Sequence, residues 1–471
     1  MFEKTGKRLF NSLARLSRAS GKLAERSAGV YAEGMAQSSQ LVNLQSYLVE
    51  RWVDGGLSPL MQSLAAVQKD IADPLLDSFF GDRQLSSSLQ EIGKRATSGA
   101  RYRRLVHTLG RELFGSATFP GEEVIAETDL LRMSYLPAKG APDGGPALVH
   151  IGGFIPYGDR VFRFLPEANL FLPFLQRGIP VYAMEVKPGL DAGRITDVTL
   201  ERIIDAIAEL GGAAFEHHGG ARMLIEGYCG VGLPMLAYLA ARPEEADARF
   251  STAMLMAAPV DVKACPLLGD MLARVPHPLL STNLTLSNVF GRYLQGAPLR
   301  IAIDIPISTF FHKTRTGQFL TGWKRHDYAA VEKVEDLDPA QRLELAGAYW
   351  ISPRTFAHHP IPGPVLRSFV QLWNEGLGPG LELPMSYRGE LIRLQRIVDS
   401  TRIRVAGFYG GEDRMIPDAT AGVLRRAFGD RYTHVVHRKA GHVSYIVVPA
   451  MWNTKLPFAF KPNPIDVALG L

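Results

Sequence analysis

Three residues far apart in the chain have the types that nucleophilic catalysis requires. Cys229 lies in Glu226-Gly227-Tyr228-Cys229-Gly230-Val231-Gly232-Leu233-Pro234, and Asp413 in Tyr409-Gly410-Gly411-Glu412-Asp413-Arg414-Met415-Ile416-Pro417. His442 lies in Lys439-Ala440-Gly441-His442-Val443-Ser444. A thiol attacks only as the thiolate, and with an ordinary pKa near about 8.5 it is only a few per cent ionised at neutral pH. A base must therefore lie beside it, and an acid must hold the tautomer of that base and stabilise its imidazolium. Each residue also has a plainer explanation. Gly-x-Cys can be a tight turn with a buried thiol, Asp413 a loop cap, and His442 a residue at a helix start.

The elements around them favour the chemical explanation. Apolar runs at 147–151, 180–186, 223–225, 252–257, 403–408 and 433–437 read as strands, and helical patterns fall at 162–176, 200–210, 233–241 and 419–428. Continuous apolar strands, each followed by a helix, predict a parallel sheet covered on both faces. Cys229, Asp413 and His442 then all fall just past the carboxyl ends of strands, where open parallel sheets build their sites. The order nucleophile, acid, histidine is that of the α/β-hydrolase arrangement. Residues 265–400 interrupt the alternation with a stretch rich in Pro, Gly and aromatics, which reads as an irregular, mostly helical cap insertion.

The predicted organisation is an N-terminal helical region over 1–115, a first core segment over 116–264, the cap at 265–400 and a last core segment over 401–471. In the N-terminal region Leu41, Leu44, Leu48 and Trp52 share one helical face, as do Leu60, Leu64, Val67 and Ile71. Ser58 is the expected N-cap of the second helix, with Pro59 at its first position. Leu9, Phe10, Leu13 and Leu16 form an apolar stripe flanked by Lys7, Arg8, Arg15 and Arg18. It suits a helix packed on the body of the protein, or a basic amphipathic segment lying on a lipid or polymer surface.

A nucleophile elbow needs small residues two before and two after the nucleophile, and the N–H just after it faces the developing oxyanion. Gly227 and Gly230 fit those roles. Val231 stands where a small residue is expected, and a β-branched side chain there is predicted to crowd the strand-to-helix crossing. Glu412 is the rival acid, and the following Ile-Pro favours Asp413. The second oxyanion N–H is expected from Phe154 or Ile155 in the loop His150-Ile151-Gly152-Gly153-Phe154-Ile155, with His150 itself pointing into the sheet. Cys265 is expected to be structural.

Together these segments resemble the polyhydroxyalkanoate synthases, which polymerise hydroxyacyl-CoA into storage polyester. The matching pieces are GYCGVGLPMLAYLAAR around Cys229, Met256-Ala257-Ala258-Pro259-Val260-Asp261, Leu165-Pro166-Glu167-Ala168-Asn169-Leu170-Phe171 opening the first helix, GGEDRMIP and AGHVSYIVVPAMWNTK. The resemblance spans about 120–455, and this chain has Gly-Val-Gly after Cys229 where the family usually carries two adjacent glycines after an intervening apolar residue. It implies an acyltransferase with Cys229 as the acylated nucleophile, His442 as base and Asp413 as its partner. It also implies acyl-CoA as substrate with no separate cofactor, a polyester granule surface as neighbour, and a homodimer or partner subunit. The related intracellular depolymerases use a similar scheme, so hydrolysis by depolymerase or thioesterase chemistry is the alternative. A non-catalytic granule protein is a third.

Composition narrows the field without choosing among these. The chain of 471 residues has a formal charge of +5, with 46% hydrophobic and 21% charged residues. No strongly basic face interleaved with aromatics argues for nucleic acid. Two cysteines fit a reducing compartment rather than a disulfide scaffold, so the cytoplasm or a granule within it is the expected location. No apolar run approaches the roughly 18–20 residues of a membrane span. The Arg-, Lys- and Ser-rich start has the colour of a transit peptide, but Glu3 and Glu25 count against it. No metal cluster, phosphate-binding loop or dinucleotide fingerprint stands out.

Overall fold

Eight strands form one sheet in the order β1-β2-β4-β3-β5-β6-β9-β10. The computed structural model describes residues 50, 57–152, 159–188, 198–265, 315–351 and 363–471. The strands are β1 (Glu123–Glu127), β2 (Leu131–Leu136), β3 (Leu148–Ile151), β4 (Val181–Val186), β5 (Met223–Tyr228), β6 (Phe250–Met256), β9 (Arg404–Gly410) and β10 (Tyr432–His437). Pairing is parallel from β4 through β10, while β2 runs antiparallel to both β1 and β4. The central strands β3 and β5 are buried at every residue. That is why their sequences are apolar runs rather than alternations. Helices Leu200–His217 and Gly232–Ala241 cover part of the sheet. This strand order, with the second strand reversed, is the α/β-hydrolase fold.

Several expectations need correction. Residues 162–171 are not helical, and the helix there is only Leu172–Gln176. Pro166 interrupts the run, Leu165 and Ala168 exchange backbone hydrogen bonds at 2.9 and 3.1 Å, and Asn169 Oδ1 accepts from the N–H groups of Phe171 and Leu172. The helix expected over 200–210 continues to His217 through Gly211 and Gly212, because its buried face extends to Ala214. The N-cap position of the helix Ser58–Phe80 falls at Leu57 rather than Ser58, and no side chain caps it. The β1–β2 hairpin escaped the sequence pattern, since β1 is a largely exposed edge strand with glutamates at both ends. Within the insertion, β7 (Glu382–Tyr387) and β8 (Glu390–Arg393) form an antiparallel pair where helical structure was expected.

The N-terminal helices Ser58–Phe80 and Leu85–His107 pack against the helix Arg315–Lys324 of the insertion. Glycines permit the close crossing: a Cβ on Gly99 would lie 2.8 Å from the Phe319 ring, and one on Gly322 would strike Tyr102. Trp323 Nε1 donates to Asp70 Oδ2 at 3.1 Å, and Lys324 Nζ to Ser63 Oγ at 3.2 Å. The apolar stripes at 9–16 and 41–52 lie outside the described residues. Among the described residues no helix is long and apolar enough to cross a membrane.

Candidate functional site

β5 runs straight into the cysteine. After Tyr228 the chain makes a short 3-10 turn over Cys229–Val231 and enters the helix Gly232–Ala241. Cys229 has φ +49°, a left-handed conformation that costs a non-glycine residue about 1–2 kcal/mol. Strain of this kind persists only where the surrounding structure holds it in place. Here the hold is the approach of strand and helix. A Cβ on Gly227 would lie 2.8 Å from the Gly232 Cα, and one on Gly232 would run into the Ala258 side chain. The glycine that the strand-to-helix crossing demands is thus not at 231. The tight position is Gly232, three residues past the cysteine, while Val231 is buried in the apolar core. Gly230 sits half-buried on the first turn with open space around its α-carbon.

The acid and the base are brought together by backbone. The loop after β9 and the loop after β10 are stitched by Gly411 N–H to His437 O and Glu412 N–H to Ala440 O, both at 2.9 Å. Side chains at 410 and 411 would prevent this, since a Cβ on Gly410 would strike the Ala440 carbonyl and one on Gly411 would lie 2.7 Å from the Arg438 carbonyl. Asp413 then uses its two oxygens differently. Oδ1 accepts from the N–H groups of Met415 and Ile416 at 2.9 Å each, and Oδ2 accepts from His442 Nδ1 at 2.8 Å. Asp413 thus caps its loop with one oxygen and holds His442 with the other. Glu412 is exposed.

With Nδ1 committed to Asp413, the other ring nitrogen of His442 stays open to a second partner, and the Cys229 side chain is close enough to act on the charge of the ring. Burial pushes the imidazole pKa down, but the Cys229 sulfur and the Asp413 carboxylate outweigh it and raise it to about 10. A histidine raised in this way and backed by a carboxylate can take up or give up a proton beside the Cys229 sulfur. Gly441 N–H donates to Ser444 Oγ at 2.8 Å and steadies the turn that carries His442.

The other sequence candidates divide. Cys265 is fully buried, and burial pushes its thiol up to about 12, against a hydrogen bond to Thr420 that acts the other way. It is a structural thiol. His150 is buried and bonds Glu226 Oε2 through Nδ1 at 2.5 Å. Phe154 and Ile155 lie outside the described residues. Two site features escaped the sequence pattern. The Tyr228 hydroxyl donates to the His442 carbonyl at 2.5 Å, and Gly232 replaces the expected small residue at 231. Adjacency to the cysteine was the available signal for both. Among the described residues no group of three or more His, Cys, Asp or Glu could hold a metal ion.

No family model matches the chain, and no curated protein matches it. Solved structures similar to it include carboxylesterase CesB of Bacillus subtilis, at 14% identity over 76% of this chain and 96% of that one, TM-score 0.36. Esterase RhEst1 of Rhodococcus sp. ECU1013 is 13% identical over 70% of this chain and 94% of that one, TM-score 0.36. The 2-hydroxy-6-oxo-6-phenylhexa-2,4-dienoate hydrolase of Rhodococcus sp. strain RHA1 is 17% identical over 69% of this chain and 93% of that one, TM-score 0.31.

Proposed function

We propose that the protein is an acyltransferase that polymerises hydroxyacyl-CoA into polyhydroxyalkanoate through a thioester on Cys229. The observation that supports the reading is one imidazole, His442, bonded to the Asp413 carboxylate at 2.8 Å and acted on by the side chain of Cys229, which sits on a left-handed turn at the end of β5. In loading, the Cys229 thiolate attacks the acyl-CoA carbonyl, the C–S bond to CoA breaks, and the departing CoA thiolate takes the proton of the His442 imidazolium. Gly230 N–H would face the oxyanion of the tetrahedral intermediate. In elongation, neutral His442 accepts the proton of a substrate hydroxyl as its oxygen attacks the enzyme-bound thioester. The released Cys229 thiolate again faces an imidazolium.

A cysteine suits transfer better than hydrolysis. Exchange of one thioester for another keeps the acyl group activated, whereas a serine would form a more stable oxygen ester that must be broken again. Water is the competing acceptor and has to be kept away from the acyl-enzyme. The aromatic-rich insertion is the part of the chain available to do so.

Intact mass measurement after exposure to 3-hydroxybutyryl-CoA tests the reading. The expected result is an acyl adduct that maps to Cys229, with release of CoA and accumulation of polymer. Adduct and CoA release with soluble hydroxy acid in place of polymer would make the protein a thioesterase or depolymerase. Neither adduct nor CoA release would remove the enzymatic reading.

A further inference from the structure

Tyr228 and Cys229 meet the same residue, although side chains of successive strand residues point to opposite faces. The left-handed step at Cys229 breaks that alternation. The Tyr228 hydroxyl donates to the main-chain carbonyl of His442 at 2.5 Å, and the Cys229 side chain acts on the charge of the same histidine. The Tyr228 ring is itself fixed, edge-on to Phe162 at 5.7 Å, to His442 at 6.1 Å and to Tyr445 at 6.4 Å. It is almost wholly buried, and burial holds the phenol well above its ordinary pKa, so it stays a donor.

We infer that Tyr228 is a positioning residue, whose hydroxyl fixes the main chain of the base while the neighbouring thiol engages its ring. The elbow strain then has a second use beyond exposing sulfur, because it aims two consecutive side chains at the two ends of one histidine. Asp413 sets the rotation of the imidazole through Nδ1, and Tyr228 sets the distance of its backbone from β5. Without the hydroxyl, the loop keeps its Asp413 contact and the Gly441–Ser444 bond but loses this tie to the nucleophile's own strand. This inference rests on Cys229 and His442 being nucleophile and base, whichever acceptor the acyl group meets.

Iodoacetamide alkylation of Cys229 in the full chain, followed by peptide mass across pH, tests it without any acyl substrate. Tyr228→Phe is expected to slow alkylation about five- to tenfold at neutral pH, as loss of one strong hydrogen bond predicts, and to shift its pH midpoint at unchanged melting temperature. Tyr445→Phe is the control, since its hydroxyl bonds His437 at 2.8 Å rather than His442; it is expected to alkylate at the wild-type rate. Site-specific 3-fluorotyrosine at 228 keeps the donor and is expected to retain that rate, which also serves if Tyr228→Phe does not fold. Wild-type alkylation by Tyr228→Phe, equal slowing by Tyr445→Phe, or slowing by the fluorotyrosine variant would overturn the inference. Absence of acyl adducts alongside the expected alkylation pattern would strike the proposed function alone.

Discussion

Two imidazole–carboxylate pairs are held by the same sheet, one between neighbouring strands and one in the loops after β9 and β10, and they differ in their surroundings. His442 bonds Asp413 through Nδ1 at 2.8 Å, and His150 bonds Glu226 through Nδ1 at 2.5 Å. The His442 and Asp413 side chains are 16% and 0% exposed, those of His150 and Glu226 1% and 0%. The difference lies in what else surrounds each ring. The charge of His442 is acted on by the Cys229 side chain and its ring is partly open to solvent, whereas among the described residues His150 Nε2 and Glu226 Oε1 have no hydrogen-bond partner. His150 is instead enclosed edge-on by the rings of Phe162 and Phe171. A histidine held by a carboxylate is thus not by itself a catalytic group. It becomes one when a nucleophile and access meet its free nitrogen.

The largest expected effect separates the two pairs by activity. His442→Gln should lower acyl transfer to Cys229 by about 100-fold or more, the usual worth of a positioned base. His150→Gln should change it by less than about tenfold, with adduct formation followed by intact mass. Equal losses would dissolve the distinction. Next comes stability, with the order reversed. Glu226→Ala leaves His150 sealed without its partner and should cost about 3–5 kcal/mol, as for other broken buried pairs. Asp413→Ala removes three accepted hydrogen bonds beside a histidine more exposed than His150, for a smaller loss of about 1–3 kcal/mol. Urea unfolding of the two variants ranks them, and a larger loss for Asp413→Ala would contradict the burial difference.

The smallest effect is in pH dependence. The folded His442 pKa, about 10, stands above its ordinary 6.5. A base raised in the folded state contributes stability that is fully present below about pH 6.5 and lost as pH rises through about 10. Wild type should therefore lose stability relative to His442→Gln between pH 7 and 10.5, read as the difference between their urea midpoints. A constant difference across that range would show that the imidazole carries no extra proton in the folded state.

Much of this was legible in the residues. Apolar runs gave away the central strands because burial on both faces leaves no polar position to confuse the period. The glycines at 227, 232, 410 and 411 mark places where backbones approach too closely for a side chain. Edge and local-turn structure was less legible. β1 is short and largely exposed, β7 and β8 lie in an insertion without a clear period, and residues 162–171 carry apolar spacing that suits a helix until Pro166 and Asn169 redirect the chain. The Val231 departure likewise had no visible remedy, since the compensating contact is between Gly232 and Ala258, residues of different elements.

By itself the sequence determined which groups exist and where strands end: a thiol after β5, a carboxylate after β9 and an imidazole after β10. Strand order along a chain already constrains these, because successive parallel strands deliver their following loops to one edge. Only the tertiary structure decided which histidine would meet the sulfur. His150 and His442 each have a carboxylate, and no local pattern says that one would be walled in by aromatic rings and the other turned toward Cys229. That choice depends on backbone bonds between the loops after β9 and β10 and on a left-handed turn at one cysteine. These loops lie about two hundred residues beyond the cysteine in sequence, and the geometry that brings the three together appears only when the sheet closes.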